Sequence, residues 1–210
     1  MNILIIGSTG DTGKQLVKKS LERGHFVTAF ARNSTKVSIT HPNLKVIEGN
    51  VLDIESLEKA VIGQHVVLCA LGHKRWFYPT KILSKGTSNI IEAMQENKVK
   101  RFICETSLGL GESIGKMGLY YSFFVIPFIL PFYFWDKRKQ ESVIKLSSLD
   151  WTIVRPGALN NKKAKGKYRH GSKVGNYIYT VSISREDVAE FMLNQIEDKN
   201  YVHSTPGLCW

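Results

Sequence analysis

The 210-residue chain is 43% hydrophobic and 22% charged, which is enough to bury a sizeable core and too apolar for intrinsic disorder. Its 29 Lys and Arg against 18 Asp and Glu give a net charge of +11, a field that suits an anionic ligand, a polyphosphate cofactor or an acidic lipid surface. The basic residues are dispersed without a recognition motif, so no nucleic-acid partner is expected. The three cysteines, Cys69, Cys104 and Cys209, exclude an even disulfide framework and have no metal-ligand spacing.

The apolar run at residues 2–6 predicts a first strand. No charged leader segment precedes it, and Cys69 and Cys104 lie in strand-like runs as reduced core thiols, so a cytoplasmic protein is expected. Gly7-Ser8-Thr9-Gly10-Asp11-Thr12-Gly13 follows at once and opens a helix that ends near Arg23, with Gly24 as its C′ residue. The spacing is G-x-x-G-x-x-G, one residue longer in its first gap than the usual dinucleotide fingerprint. Gly7 turns the chain out of the strand, Gly10 leaves room for a pyrophosphate, and Gly13 lets the helix pack on the sheet. The first helical amides and the dipole then face the phosphates. A plain glycine turn is the alternative.

Residues 25–31 read as a second strand, and Arg32 stands at its end, where an acidic residue would select a ribose hydroxyl and an arginine a 2′-phosphate. Lys36 offers a second charge there. Residues 45–49 form a third strand. Asp53 is expected to cap the helix beginning at Ile54 and to lie near an adenine. The continuous apolar run at 66–70 is a fourth strand, covered on both faces, with Leu71-Gly72 at its carboxyl end. His73 comes next, at the cofactor mouth or as a solvated loop residue. A helix over 80–97 leads to strand five, 101–105, which delivers Thr106-Ser107.

The pattern then breaks. Residues 108–131 hold four glycines, and no charge follows Lys116 until Asp136. A transmembrane span needs ~20 apolar residues, and Pro127 and Pro131 interrupt this one. Two readings stay open for the insertion of about 108–132: a hydrophobic lid beside the site, or a patch at 118–131 that touches a membrane surface or another subunit. A helix over 133–146 and strand six, 151–155, end in Pro156-Gly157-Ala158. Residues 160–175 read as a surface loop and 177–181 as a strand. Ser184 and Asp187 then form an acidic capping box for a helix to about 196, and the tail 201–210 carries no assignment. The expectation is one domain over 1–210, a doubly wound parallel α/β sheet.

These landmarks, with Leu149-Asp150-Trp151-Thr152-Ile153-Val154-Arg155-Pro156-Gly157 and the ending around Glu190 and His203, resemble the short-chain dehydrogenase/reductase superfamily. The resemblance is to its small atypical NAD(P)H-binding branch, which holds the NmrA-like proteins and flavin reductase, also called biliverdin-IXβ reductase. It implies a Rossmann fold with NADP(H): Thr9, Gly10, Asp11, Thr12 and Gly13 on the pyrophosphate and Arg32 on the 2′-phosphate. It also implies Asp53 near the adenine, Leu71 and Gly72 along the ribose, and Pro156, Gly157 and Ala158 beside the nicotinamide amide. Ser107 would face the nicotinamide and a flat conjugated acceptor such as a flavin, a bilin or a quinone.

Hydride transfer leaves negative charge that a proton donor must neutralise. Catalytic members of the superfamily use Y-x-x-x-K, and Tyr133-Phe134-Trp135-Asp136-Lys137 matches it in register with Glu141 and strand six. Flavin-reducing relatives lack this tyrosine, and Leu108-Gly109-Leu110-Gly111 stands where their lid aromatics follow the serine. Three functions remain: a reductase of flat conjugated acceptors, a carbonyl reductase using Ser107, Tyr133 and Lys137, and a non-catalytic NADP-binding redox sensor.

Overall fold

Alternating apolar strands and amphipathic helices place every strand of the first half parallel to its neighbour. In a computed structural model of the protein, which describes residues 1–73 and 78–210, the elements in chain order begin with β1 (Asn2–Ile6), α1 (Asp11–Glu22), β2 (Phe26–Ala31), β3 (Leu44–Glu48), α2 (Ile54–Val61) and β4 (Val66–Cys69). They continue with α3 (Ile82–Glu96), β5 (Arg101–Glu105), α4 (Pro131–Lys145), β6 (Asp150–Pro156), β7 (Ala158–Asn160) and β8 (Arg169–Gly171). The chain closes with β9 (Ser182–Ser184), α5 (Arg185–Asn194) and β10 (Gly207–Cys209). Among the described residues the main sheet has eight strands in the order β3-β2-β1-β4-β5-β6-β10-β8, and only β8 runs antiparallel, against β10. The strand order reverses between β1 and β4, the point where open α/β sheets bind ligands at their carboxyl ends.

The two-residue period of β1 divides the core. Leu4 and Ile6 face α2, α3 and α4, where they meet Leu57, Ile90, Met94 and Ile144. Ile3 and Ile5 face α1 and α5, meeting Leu16, Val17, Val188 and Met192. Helix α1 buries Gly13, Leu16 and Ser20, with Val17 and Leu21 beside them, at three- and four-residue spacing and stops at Gly24, whose φ of +74° continues no helix.

Two expectations need correction. Residues 177–181 form no strand: the Asn176 side chain accepts the N–H groups of Ile178 and Tyr179 at 2.7 and 2.8 Å, closing a turn that leaves Tyr177, Ile178 and Tyr179 exposed. The strand starts later, as β9, and pairs with β7 outside the main sheet. The loop expected over 160–175 contains the edge strand β8, and the unassigned tail supplies β10, which is inserted between β6 and β8. Neither segment has a local strand pattern, because each is short and its pairing partner lies far along the chain.

The apolar insertion runs from a short 3₁₀ turn, Gly111–Ser113, into a nine-residue π-helix, Tyr121–Ile129, which joins α4 at Leu130. Pro127 lies inside it. A proline removes one N–H and crowds the carbonyl four residues back, so the ladder widens; Leu130 N–H bonds Val125 O, five residues away, at 2.9 Å.

The turn between β1 and α1 is held by close backbone contact. A Cβ on Gly7 would lie 2.5 Å from Ala70 O, and one on Gly13 2.1 Å from Gly7 O. Gly13→Ala forces two backbones apart, so it should cost about 1–3 kcal/mol. For a chain of this size that lowers Tm by roughly 2–4 °C per kcal/mol, measurable by thermal melting.

Candidate functional site

At the carboxyl end of β1 the chain builds an anion cradle from backbone alone. Gly10 occupies the N-cap of α1 and offers no side chain, so no capping group takes the amides of the first turn. Ser8 is buried and donates to Phe30 O at 2.9 Å, tying the turn to β2. Gly10 N–H bonds Gly7 O at 3.0 Å, which sets the curvature. Uncapped amides at a dipole end beside glycines fit a pyrophosphate. Residues 7–13 share the work unequally. Thr9 is half-buried, and Asp11 is exposed and within 3.9 Å of Arg185. The Thr12 hydroxyl turns inward and donates to Glu105 Oε1 at 3.3 Å, so only its amide faces the cradle.

Glu105 ends β5 fully inside the protein and is the residue around which the next shell forms. Burial pushes its carboxyl above the usual range, and Lys137 and the Thr12 hydroxyl draw it partly back. Lys137, buried on α4, donates to Glu105 O at 3.5 Å. Burial favours its neutral amine, but Tyr133, Glu105 and the thiols of Cys104 and Cys69 outweigh that and hold its pKa above the ordinary lysine value. The Lys137 ammonium lies 5.2 Å from the centre of the Tyr133 ring. The Tyr133 hydroxyl in turn comes within 3.5 Å of where a Cβ of Gly72 would stand. Thus the Y-x-x-x-K pair and the Leu71-Gly72 end of β4 meet. Ser107 is half-buried two residues beyond β5, and the solvated-loop alternative for His73 gives way: its ring packs edge-on against Tyr133 at 5.0 Å and contacts Thr80 Oγ1 at 3.0 Å.

Two further charges seat α4. Asp136 is buried and accepts the N–H groups of Leu83 and Ser84 at 2.9 and 3.1 Å and the Ser84 hydroxyl at 2.5 Å. It therefore caps α3 from another helix, because Lys81 at the N-cap supplies no side-chain acceptor. Arg155, at the end of β6, grips Glu141 through Nε at 2.9 Å and Nη2 at 2.6 Å, and reaches Glu112 at 2.8 Å. Thr106 donates to Glu141 Oε1 at 2.7 Å. Glu105, Glu112 and Asp136 were not among the expected site residues. A lone acid closing the apolar strand of β5 is the one local signal; Asp136 and its donors are more than fifty residues apart, and no spacing reveals them.

The remaining expected contacts spread along the same edge. Arg32 and Lys36 are exposed after β2, on either side of Ser34, whose N–H and hydroxyl bond Glu48 at 2.9 and 2.6 Å. Asp53 occupies the N-cap of α2, but its side chain accepts no capping hydrogen bond, which corrects the expected cap. The amides of Gly157 and Ala158 bond Leu208 O and Val181 O, and Pro156 O accepts from Leu108, so Pro156, Gly157 and Ala158 offer a wall rather than free donors.

A family model described as NAD(P)H-binding matches residues 7–199, from the first cradle glycine to beyond α5. The chain belongs to the NAD(P)H-binding family. An uncharacterised chloroplastic protein of Arabidopsis thaliana is 29% identical over 201 residues, covering 90% of this chain and 69% of that protein. The chain spans 39% and 32% of the length of the next two curated relatives. A short-chain dehydrogenase/reductase from Veillonella parvula, solved in complex with NADP, superposes with a TM-score of 0.84 at 22% identity, over 100% of this chain and 94% of that one. ChuY, an anaerobilin reductase of Escherichia coli O157:H7, does so with a TM-score of 0.81 at 20% identity, over 100% and 97%. At these identities the superpositions establish the shared Rossmann fold.

Two measurements check the charge network. Glu141→Gln leaves the buried Arg155 without its bidentate partner and should cost about 3–5 kcal/mol in urea unfolding. Glu112 behaves differently: burial opposes its charge, yet Thr205, a backbone amide and Arg155 hold its carboxyl at about 2 against an ordinary 4.5. Its contribution is therefore present above pH 4.5 and lost as pH falls toward 2. Melting temperatures over that window should fall less steeply for Glu112→Gln than for the native chain.

Proposed function

We propose that the protein is an NADPH-dependent reductase in which Tyr133 is the proton donor and Lys137 supports it. One observation carries this: the Tyr133 hydroxyl stands over Gly72 at the switch-point edge, with the buried Lys137 ammonium beside its ring. The dinucleotide, when bound, supplies the hydride. The residues of the chain do the rest. The amides of Asp11, Thr12 and Gly13 hold the phosphates, and Arg32 with Lys36 discriminates in favour of a 2′-phosphate by planar, bidentate and point-charge contacts. Tyr133 gives its proton to the acceptor atom on which negative charge develops, and the Lys137 charge stabilises the phenolate oxygen left behind. Ser107 offers a hydroxyl toward the same acceptor. NADP in the Veillonella parvula relative supports the cofactor reading, and the anaerobilin reductase named among the structural neighbours supports a conjugated acceptor.

For the acceptor we infer a flat conjugated molecule of the quinone or flavin type, in keeping with the charge-free aromatic segment that adjoins Tyr133. A small ketone is the second reading, and the same tyrosine favours it. NADPH oxidation measured with quinones, FMN, FAD and ketones separates the two. Tyr133→Phe should cut turnover 10²–10⁴-fold, on the order expected of a lost general acid, with NADPH affinity unchanged. Full activity in that variant would remove the proton-donor role, and tight NADPH binding without turnover of any acceptor would leave a redox sensor. Arg32→Ala should weaken NADPH by about tenfold or more and leave NADH nearly untouched, as expected when a charge-assisted contact to the phosphate is lost. Titration of both nucleotides by fluorescence gives the ratio, and equal losses would dismiss the phosphate contact.

A further inference from the structure

The π-helix is apolar on all sides, and the protein covers only one of them. Val125 is buried and Tyr121 packs on the cluster of Leu108, Met117 and Val181, forming the inner face. Leu119, Tyr120, Phe123, Phe124, Phe128 and Ile129 point outward, with Phe124 61% and Phe128 73% exposed. Their rings form a row: Tyr120 and Phe124 stack with centroids 6.3 Å apart, and Phe124 and Phe128 follow at 6.5 Å. The face extends sideways, because Leu119 N–H bonds Ile178 O at 3.2 Å, which brings the exposed Tyr177, Ile178 and Tyr179 alongside. It also continues into α4 through Phe132 and Trp135, both exposed. Among the described residues these side chains leave about half or more of their surface to solvent, Ile129 and Phe132 somewhat less. A helix that is hydrophobic all round needs apolar surroundings all round.

Charge says what those surroundings are. No Asp or Glu occurs between Glu112 and Asp136, and none between β7 and Glu186, while residues 160–184 carry six Lys and Arg. Lys116 and Lys173 border the face on one side, joined where Lys116 Nζ donates to Ser172 O at 2.9 Å. Arg138 and Lys139 border it on the other, and the Lys139 ammonium lies 3.5 Å from the Trp135 ring centre. An aromatic face rimmed by cations matches the boundary between acyl chains and acidic headgroups. Among the described residues no helix is long and apolar enough to cross a membrane, so the segment would lie in the interface plane. A second copy fits poorly. A two-fold contact sets the same patch against itself, lysine rim facing lysine rim, on chains of net charge +11.

We propose that this face seats the protein on an anionic phospholipid bilayer, with the outer π-helix aromatics inserted at the headgroup level and Lys116, Lys173, Arg138 and Lys139 against acidic lipids. The proposal is independent of the reductase reading. It is tested by co-sedimentation of the full chain with vesicles of phosphatidylcholine alone or mixed with phosphatidylglycerol. The chain should partition onto the mixed vesicles, and raised salt should release it. Brominated lipid should quench Trp135, a signal lost in Trp135→Phe. The combined variant Phe123→Ser, Phe124→Ser, Phe128→Ser should partition at least about tenfold more weakly while its melting temperature is kept, since these rings cover no core. Absence of partition at low salt overturns the proposal, as does binding that the triple variant retains. A concentration-dependent dimer that the triple variant dissolves also overturns it and gives the face to a second copy.

Discussion

The buried Arg155–Glu141 pair is the contact on which the site depends. A guanidinium taken out of water at the end of β6 must be fully paired, and Glu141 supplies both oxygens while Glu112 takes the remaining edge. Glu112 stands near the start of the apolar insertion and Glu141 lies beyond its end, so one cation ties the two flanks of the segment together. The same grip sets the rotation of α4, and with it the positions of Lys137 and Tyr133 one and two turns earlier. Asp136 repeats the device on the opposite side of the helix by capping α3. Helix α4 is thus located by charge more than by its apolar face.

The sheet shows why charge can gather there. β1, β4 and β5 are apolar and covered on both faces, so polar side chains are admitted only at the strand ends. Glu105 sits at such an end, where Thr12 from the cradle and Lys137 from α4 both reach it. One buried residue, through its carboxylate on Thr12 and its backbone carbonyl on Lys137, therefore links the phosphate end of the site to the tyrosine end. Burial raises the proton affinity of Glu105, and the neighbouring ammonium restrains that shift.

Much of this is legible along the chain. The glycine turn, its preceding strand and its helix are local, because φ above zero and backbone contact allow little besides glycine at Gly7 and Gly13. The match of Tyr133 and Lys137 to a helical four-residue spacing is also local, and the helix brings both to one face. Residues 177–181 show the opposite case: their alternation resembles a strand, yet Asn176 folds its own side chain onto the following amides and the ladder begins only at Ser182. Asp53 has the residue type and position of a cap but does not act as one. Side-chain hydrogen bonds are decided by distances that a residue's identity does not contain.

By itself the amino-acid sequence determined the doubly wound order of elements, the cradle of residues 7–13, the switch-point residues Leu71 and Gly72, and the Tyr133–Lys137 pair. Each depends on neighbours within a few residues, where period and glycine placement act directly. Only the tertiary structure decided that Glu105, Asp136 and Glu112 join the site, that β8 and β10 complete the sheet, and that the apolar insertion keeps one aromatic face uncovered. These follow from pairing groups distant along the chain, since a buried charge or an open strand edge takes whichever partner the fold carries to it.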